Sequence, residues 1–144
     1  VNSSYINLLG QLSEIDNRCI TQEKTKKYLD MLDSKYKIFV IENLNTRDIV
    51  GSGTVLIEEK IIHNYGKVGH IEDIVIDYSY RKNGLGKMLV EYLSDYCIIN
   101  NKCYKCILDC KYEYINFYEN CGYQQQQVQM SLYSKSAQSI YRNI

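Results

Sequence analysis

An apolar run, Ile74-Val75-Ile76, ends at Asp77 and is followed after a short polar turn by Arg81-Lys82-Asn83-Gly84-Leu85-Gly86-Lys87. From there apolar side chains recur at positions 85, 88, 89, 92, 93 and 96. That spacing paints one face of a helix over about 84–99, whereas the short apolar run before it suits a central strand over 69–77. A strand leading through a glycine-containing turn into an amphipathic helix is half of a βα unit, so the chain is expected to be α/β. The first N–H groups of such a helix lack intrahelical partners and carry partial positive charge, which attracts phosphate. Gly84 and Gly86 let the backbone approach an anion without a Cβ between, and Arg81, Lys82 and Lys87 add cationic charge. A Walker loop is excluded, because Gly86-Lys87 is followed by Met88. A dinucleotide fingerprint fails for want of its third glycine.

The remaining elements fall on either side of this unit. Residues 3–12 read as a short helix or turn, and Thr21 as the N-cap of a helix over about 22–33 with Tyr28, Leu29, Met31 and Leu32 on its apolar face. Strands are expected over 37–42 and 49–59, joined by a polar turn at 43–48 into a hairpin, with Gly51 and Gly53 marking a bulge. A loop at 63–67 precedes the central strand, and beyond the helix come a strand over 103–110, a short helix over 112–120 stopped by Gly122, and a last strand over 123–133. The expected whole is one α/β domain over 1–144 with a mixed, mostly antiparallel sheet flanked by helices. The strands ending near Asp77 and Cys110 are expected to splay apart.

Charge and composition narrow the function classes. Seventeen basic and seventeen acidic side chains cancel, without the basic excess of a duplex-binding domain, so no nucleic-acid partner is expected. No apolar run reaches the roughly 18 residues of a membrane span. The chain opens on Val1 rather than Met, and a longer N-terminus is expected. Among six cysteines, Cys103-Tyr-Lys-Cys106 has the spacing of half a zinc site, but no second pair follows and His63 and His70 lie well upstream. Cys106, Leu108 and Cys110 alternate and would share a buried strand face, leaving Cys103 on the other. Core thiols in a reducing, cytoplasmic compartment are therefore expected, with no metal.

Arg81–Lys87 resembles the acetyl-CoA loop of the GNAT superfamily of N-acetyltransferases, and the element order matches that fold. More specific are Gly69-His-Ile-Glu-Asp-Ile-Val-Ile, Cys103-Tyr-Lys-Cys-Ile-Leu-Asp-Cys, Phe117-Tyr-Glu-Asn-Cys-Gly-Tyr, Leu9-Gly-Gln-Leu-Ser-Glu and Lys60-Ile-Ile-His. Together, over about 8–133, they resemble the glucosamine 6-phosphate N-acetyltransferase family. The resemblance implies acetyl transfer from acetyl-CoA to a sugar amine in a homodimer whose C-terminal strands complete the partner's site, in UDP-N-acetylglucosamine biosynthesis.

It also implies roles. Ile74, Val75, Ile76, Arg81, Lys82, Asn83, Gly84, Leu85, Gly86, Lys87, Tyr118 and Asn120 would hold the coenzyme, with a strand N–H near Ile74 polarising the acetyl carbonyl. Tyr118 would hydrogen-bond the departing sulfur. Asp109, a carboxylate that an apolar strand tolerates only with a partner, would orient the substrate amine. Glu72 joins it among the catalytic candidates, and Glu72 and Asp73, being adjacent on a strand, should face opposite ways. Ser13, Lys60, His63, Tyr104 and Lys105 complete the expected sugar-phosphate contacts. One departure stands out: where the family carries an arginine near the end of the last strand, this chain has Tyr133, with Lys135 two residues on. A lysine is a point charge and does not reproduce a bidentate guanidinium. No cysteine sits in a nucleophile's context, so direct transfer is expected. Two alternatives stay open on the residues: acetylation of another amine, such as a polyamine or a protein N-terminus, and a non-catalytic acyl-CoA-binding module.

Overall fold

The computed structural model describes residues 3–15, 19–135 and 137. The chain divides into two compact units, Val1–Cys110 and Lys111–Ile144.

The first unit runs α1 (Ser3–Leu9), α2 (Gln22–Met31), β1 (Tyr36–Glu42), β2 (Ile49–Glu59), a one-turn element α3 (Ile62–Tyr65), β3 (Lys67–Ile76), a 3-10 turn (Tyr78–Tyr80), α4 (Leu85–Asp95) with a π-turn (Tyr96–Asn100), and β4 (Lys105–Ile107). The four strands form one sheet in the order β1-β2-β3-β4. β1 and β2, and β2 and β3, are antiparallel, while β3 and β4 are parallel, as a helical crossover through α4 requires. The mixed, mostly antiparallel sheet was legible in the chain, and so were the hairpin and the crossover helix.

Each element has a local cause. Thr21 caps α2, its hydroxyl accepting from Lys24 N at 3.2 Å. The hairpin turn is tied by Asn43 N donating to Asp48 O at 2.8 Å, while Asn43 Oδ1 accepts from Asn45 N at 2.9 Å. The core gathers Val50, Val55, Ile57, Val68, Ile71, Val75 and Ile76 from the sheet, Leu89, Val90, Leu93 and Cys97 from α4 and the π-turn, and Leu8 from α1. α4 lies close on the sheet because two strand positions lack side chains. A methyl group on Gly53 would stand 2.6 Å from Leu93 Cδ1, and one on Gly69 would run into Cys97 Sγ, 2.6 Å from its Cβ. Gly69→Ala should therefore cost about 1–3 kcal/mol by overpacking. A urea midpoint indistinguishable from wild type would show that the helix can yield.

Several expectations need correction. α2 buries no residue: Met31 is 73% exposed, and Tyr28 and Leu29 are about as open as they are covered, so its apolar face is only partly used. The buried stripe of α4 runs through Val90 and Cys97 rather than Met88 and Tyr92, which are exposed. β4 is three residues long rather than eight, and of its cysteines Cys103 is buried while Cys110 is exposed, the reverse of the expected faces. The strand ends at Ile107, so period-two alternation does not carry on to Cys110. All six cysteines are thiols rather than halves of disulfides. Cys97 shares a hydrogen bond with Cys106, which together with burial pushes its thiol well above the ordinary range.

The second unit holds a 3-10 turn (Tyr112–Tyr114) and α5 (Ile115–Glu119). Gly122 stops α5 at φ +89°, with Tyr123 N donating to Tyr118 O at 3.0 Å. Residues 123–133 form no strand, against expectation. Val128, Met130 and Leu132 alternate there, all more than four-fifths exposed. Among the described residues no helix is long and apolar enough to cross a membrane.

Candidate active site

β3 and β4 pair only from Val68↔Lys105 to His70↔Ile107. β3 then continues to Ile76 with no β4 residue paired to it, because β4 ends at Ile107. Along this opened edge β3 also bulges. Thr54 faces Glu72 and Ser52 faces Val75, so Asp73 and Ile74 share the space opposite Gly53 and have no register partner on β2. Asp73 takes φ +53°, an uncommon conformation for a residue with a side chain. A bulge beside a gap re-aims backbone and side chains, and alternation across Glu72-Asp73 fails. Both side chains are exposed, where opposite faces had been expected.

Three carboxylates meet here. Although Glu72 is exposed, partial desolvation of its carboxyl, then the charges of Asp109 and Asp73, raise it above its ordinary range, against a smaller opposing pull from His70. Asp73 also reaches two phenols on the other side. Tyr5 is raised mainly by burial, while the hydrogen bond between the Tyr28 and Tyr36 hydroxyls leads the effects that push Tyr36 up to about 12; Asp73 contributes to both. Tyr5 and Tyr28 line an open hollow of about 250 Å³ between α1, α2 and β1, with Leu9, Thr25 and Ile38. Such a cluster of negative charge suits a cationic amine, and a carboxyl of raised pKa suits the acceptance of its proton.

At the C-terminal end of β3, Asp77 caps the 3-10 turn by accepting from Ser79 N at 2.9 Å. Arg81 Nε donates to Ile76 O at 2.8 Å, and its guanidinium lies 3.7 Å from the Tyr78 ring centre. Gly84, at φ +80°, begins α4 and provides no side-chain cap. Nothing lies within 4 Å of where its Cβ would be. Residues 81–84 are exposed. Lys87 is 3.6 Å from Glu91 one turn along. Uncapped first-turn amides beside open space at a glycine are the kind of site an anion takes, and Arg81, Lys82 and Lys87 lie in the same stretch of chain. Ile74 is half-buried and Val75 and Ile76 are buried at the adjoining end of β3.

The candidate sugar-phosphate residues are only partly assembled. His63 stacks on Tyr104 with ring centres 4.7 Å apart, and Lys105 Nζ is 5.8 Å from the Tyr104 ring. His63, Asn64 and Tyr65 are all left-handed, with φ from 56° to 58°, a strained run of the kind found at functional loops. Lys60 N donates to Gly66 O at 2.9 Å, closing that loop, while Lys60 Nζ reaches Glu58. The same carboxylate meets His70 Nε2 at 2.9 Å. Glu58 was not among the sequence candidates; it lies near the end of β2, two residues before Lys60, and its partner His70 on β3 comes into view only with the strand pairing. Ser13 sits in the turn after α1, its N–H donating to Leu9 O at 3.2 Å. In the second unit, Tyr118 packs between Phe117 and Tyr123 at 5.0 and 6.2 Å, and Asn120 ends α5. Tyr133 and Lys135 follow outside any strand, where Tyr133 had been expected to end one. Among the described residues no group of His, Cys, Asp or Glu is arranged to hold a metal ion.

The family model described as "Acetyltransferase (GNAT) family" matches residues 9–123. The chain belongs to the GNAT acetyltransferase family. This GNAT chain is 42% identical over 132 residues to the glucosamine 6-phosphate N-acetyltransferase of Arabidopsis thaliana, covering 90% of this chain and 87% of that protein. The Candida albicans protein of the same name is 38% identical over 87% of this chain and 81% of its own length. A crystal structure of the Arabidopsis enzyme superposes with a TM-score of 0.84, covering 90% of this chain and 88% of that one. A Trypanosoma brucei acetyltransferase structure, 36% identical, superposes with a TM-score of 0.82 and covers 92% of each chain.

Proposed function

We propose that this GNAT acetyltransferase moves the acetyl group of acetyl-CoA to the amine of D-glucosamine 6-phosphate, giving N-acetyl-D-glucosamine 6-phosphate in UDP-N-acetylglucosamine biosynthesis. The observation that carries the reading is the carboxylate cluster of Glu72, Asp73 and Asp109 on the split between β3 and β4, beside the uncapped start of α4. The likeness to the named relatives supplies the sugar phosphate.

Acetyl-CoA supplies an activated acyl group, and the residues of this chain bind, orient and move protons around it. Arg81, Lys82, Asn83, Gly84, Leu85, Gly86 and Lys87 hold the diphosphate, with Ile74, Val75 and Ile76 along the pantetheine arm. Asp109 and Asp73 draw in the ammonium, and Glu72 takes its proton so that the amine lone pair can form the new C–N bond. A backbone N–H at the Ile74 bulge polarises the carbonyl. The C–S bond breaks, and Tyr118, assigned by resemblance together with Asn120, gives the departing thiolate a hydrogen bond or proton. Lys60, His63, Tyr104, Lys105 and Ser13 are the proposed sugar-phosphate contacts, with Lys135 a weaker substitute for the family's arginine beside Tyr133. The exposed alternating residues Val128, Met130 and Leu132 support a homodimer in which this segment pairs with a second copy.

Coenzyme A release should be measured with glucosamine 6-phosphate, spermidine and an N-terminal peptide as acceptors. Turnover with the sugar phosphate alone is expected. Turnover with spermidine or the peptide instead moves the chain to another amine, and coenzyme binding without turnover makes it an acyl-CoA-binding module.

A further inference from the structure

We propose that Gln11 is a positioning residue for the coenzyme, holding the turn from which the diphosphate loop starts. Gln11 lies just after α1, 66 residues from Asp77, and its carboxamide makes two bonds to that turn. Gln11 Nε2 donates to Asp77 Oδ2 at 2.6 Å, and Gln11 Oε1 accepts from Tyr78 N at 3.0 Å. A side-chain amide is suited to this pairing, because it presents one donor and one acceptor on the same plane. The bonds fix both sides of the Asp77–Tyr78 peptide link. Asp77 caps the turn through Ser79 N, and Tyr78 is the shelf on which the Arg81 guanidinium rests. Arg81 in turn is anchored to Ile76 O. From Arg81 the chain runs through Lys82 and Asn83 to Gly84 and the uncapped amides of α4. The side-chain hydrogen bonds of Gln11 among the described residues go to Asp77 and Tyr78, so the influence proposed for it runs through Asp77, Tyr78 and Arg81. The titratable groups at the turn are Asp77, Tyr78, Tyr80 and Arg81, and Asp77 is held below the ordinary carboxylate range first by the Gln11 bond.

The inference rests on the coenzyme reading of residues 81–87, and its test separates the two. Coenzyme A is titrated calorimetrically into wild type, Gln11→Met and Gln11→Glu, with steady-state KM for each substrate and unfolding midpoints recorded alongside. Wild type is expected to release heat; none would overturn the coenzyme reading and this one with it. Gln11→Met keeps the length but loses both bonds, and should weaken coenzyme A binding about tenfold, the scale of a hydrogen bond to a charged group. The KM for the sugar should hold. Gln11→Glu places a carboxylate against Asp77, so its affinity relative to wild type at the same pH should be lowest near neutrality. It should recover as the pH falls and one of the two carboxyls gains a proton. Equal coenzyme affinity in wild type and Gln11→Met would overturn the proposal, even with a lowered midpoint, because Gln11 would then be structural only. Equal rises in both KM values would overturn it as well.

Discussion

Glu72→Gln is expected to lower kcat/KM for the amino sugar by on the order of a hundredfold or more, the usual contribution of a positioned general base. The side chain keeps its shape and its place on the β3 bulge but can no longer accept the ammonium proton. In wild type the rate should fall as acidification protonates Glu72, and this limb should begin above the ordinary carboxylate range, because burial, Asp109 and Asp73 raise the Glu72 pKa. The glutamine variant should lack that limb. The same crowding has a stability consequence of definite sign. A carboxyl whose pKa is higher in the folded than in the unfolded chain binds its proton more readily when folded, so its ionisation costs stability at neutral pH. That cost vanishes as the pH falls through the ordinary carboxylate range. Glu72→Gln should thus unfold at a higher temperature than wild type at neutral pH, with the difference closing in acid. Initial rates of thiol release and thermal melts across pH check both statements. A variant within about threefold of wild-type kcat/KM would remove Glu72 from the chemistry, since general bases contribute far more than that.

What the sequence revealed and what it hid follow one physical division. α4 was readable because its apolar spacing is local and survives in Leu89 and Leu93, both almost wholly buried. The Thr21 cap and the Gly122 stop were readable for the same reason: each is a single residue acting on its own neighbours. Strand pairing is not local. Residues 123–133 carry strand-like alternation in Val128, Met130 and Leu132, yet a strand exists only beside another, and the described chain offers this segment none. Gly51 and Gly53 did mark where the ladders break, but that the extra residue at Gly53 belongs to β3 appears only when β3 is laid against β2. With that bulge Glu72 and Asp73 are both exposed, and Glu72 feels the charges of Asp73 and Asp109. Gln11 and Glu58 act through contacts across the sheet or across the chain, so single-strand pattern could at best have hinted at Glu58 beside Lys60.

Gly84→Val tests the loop where the assignment is most exposed. At φ +80° a β-branched side chain is held in a left-handed conformation, at a cost of about 1–2 kcal/mol. No protein atom lies within 4 Å of the added Cβ, so the variant should fold and melt only a few degrees lower. The isopropyl group would instead occupy the open side toward which the first amides of α4 point. An anion displaced there by about an ångström loses on the order of a hundredfold in productive binding. Coenzyme A affinity should fall by that order, while the midpoint moves little. Gly84→Asn separates the two causes, because asparagine tolerates the left-handed conformation but still adds a side chain. If asparagine also abolishes binding, bulk in the cradle is responsible; if it restores binding, backbone strain is. Unchanged coenzyme A affinity in Gly84→Val would detach the diphosphate from this helix start, and the carboxylates of Glu72, Asp73 and Asp109 would then face no acyl donor at the end of β3.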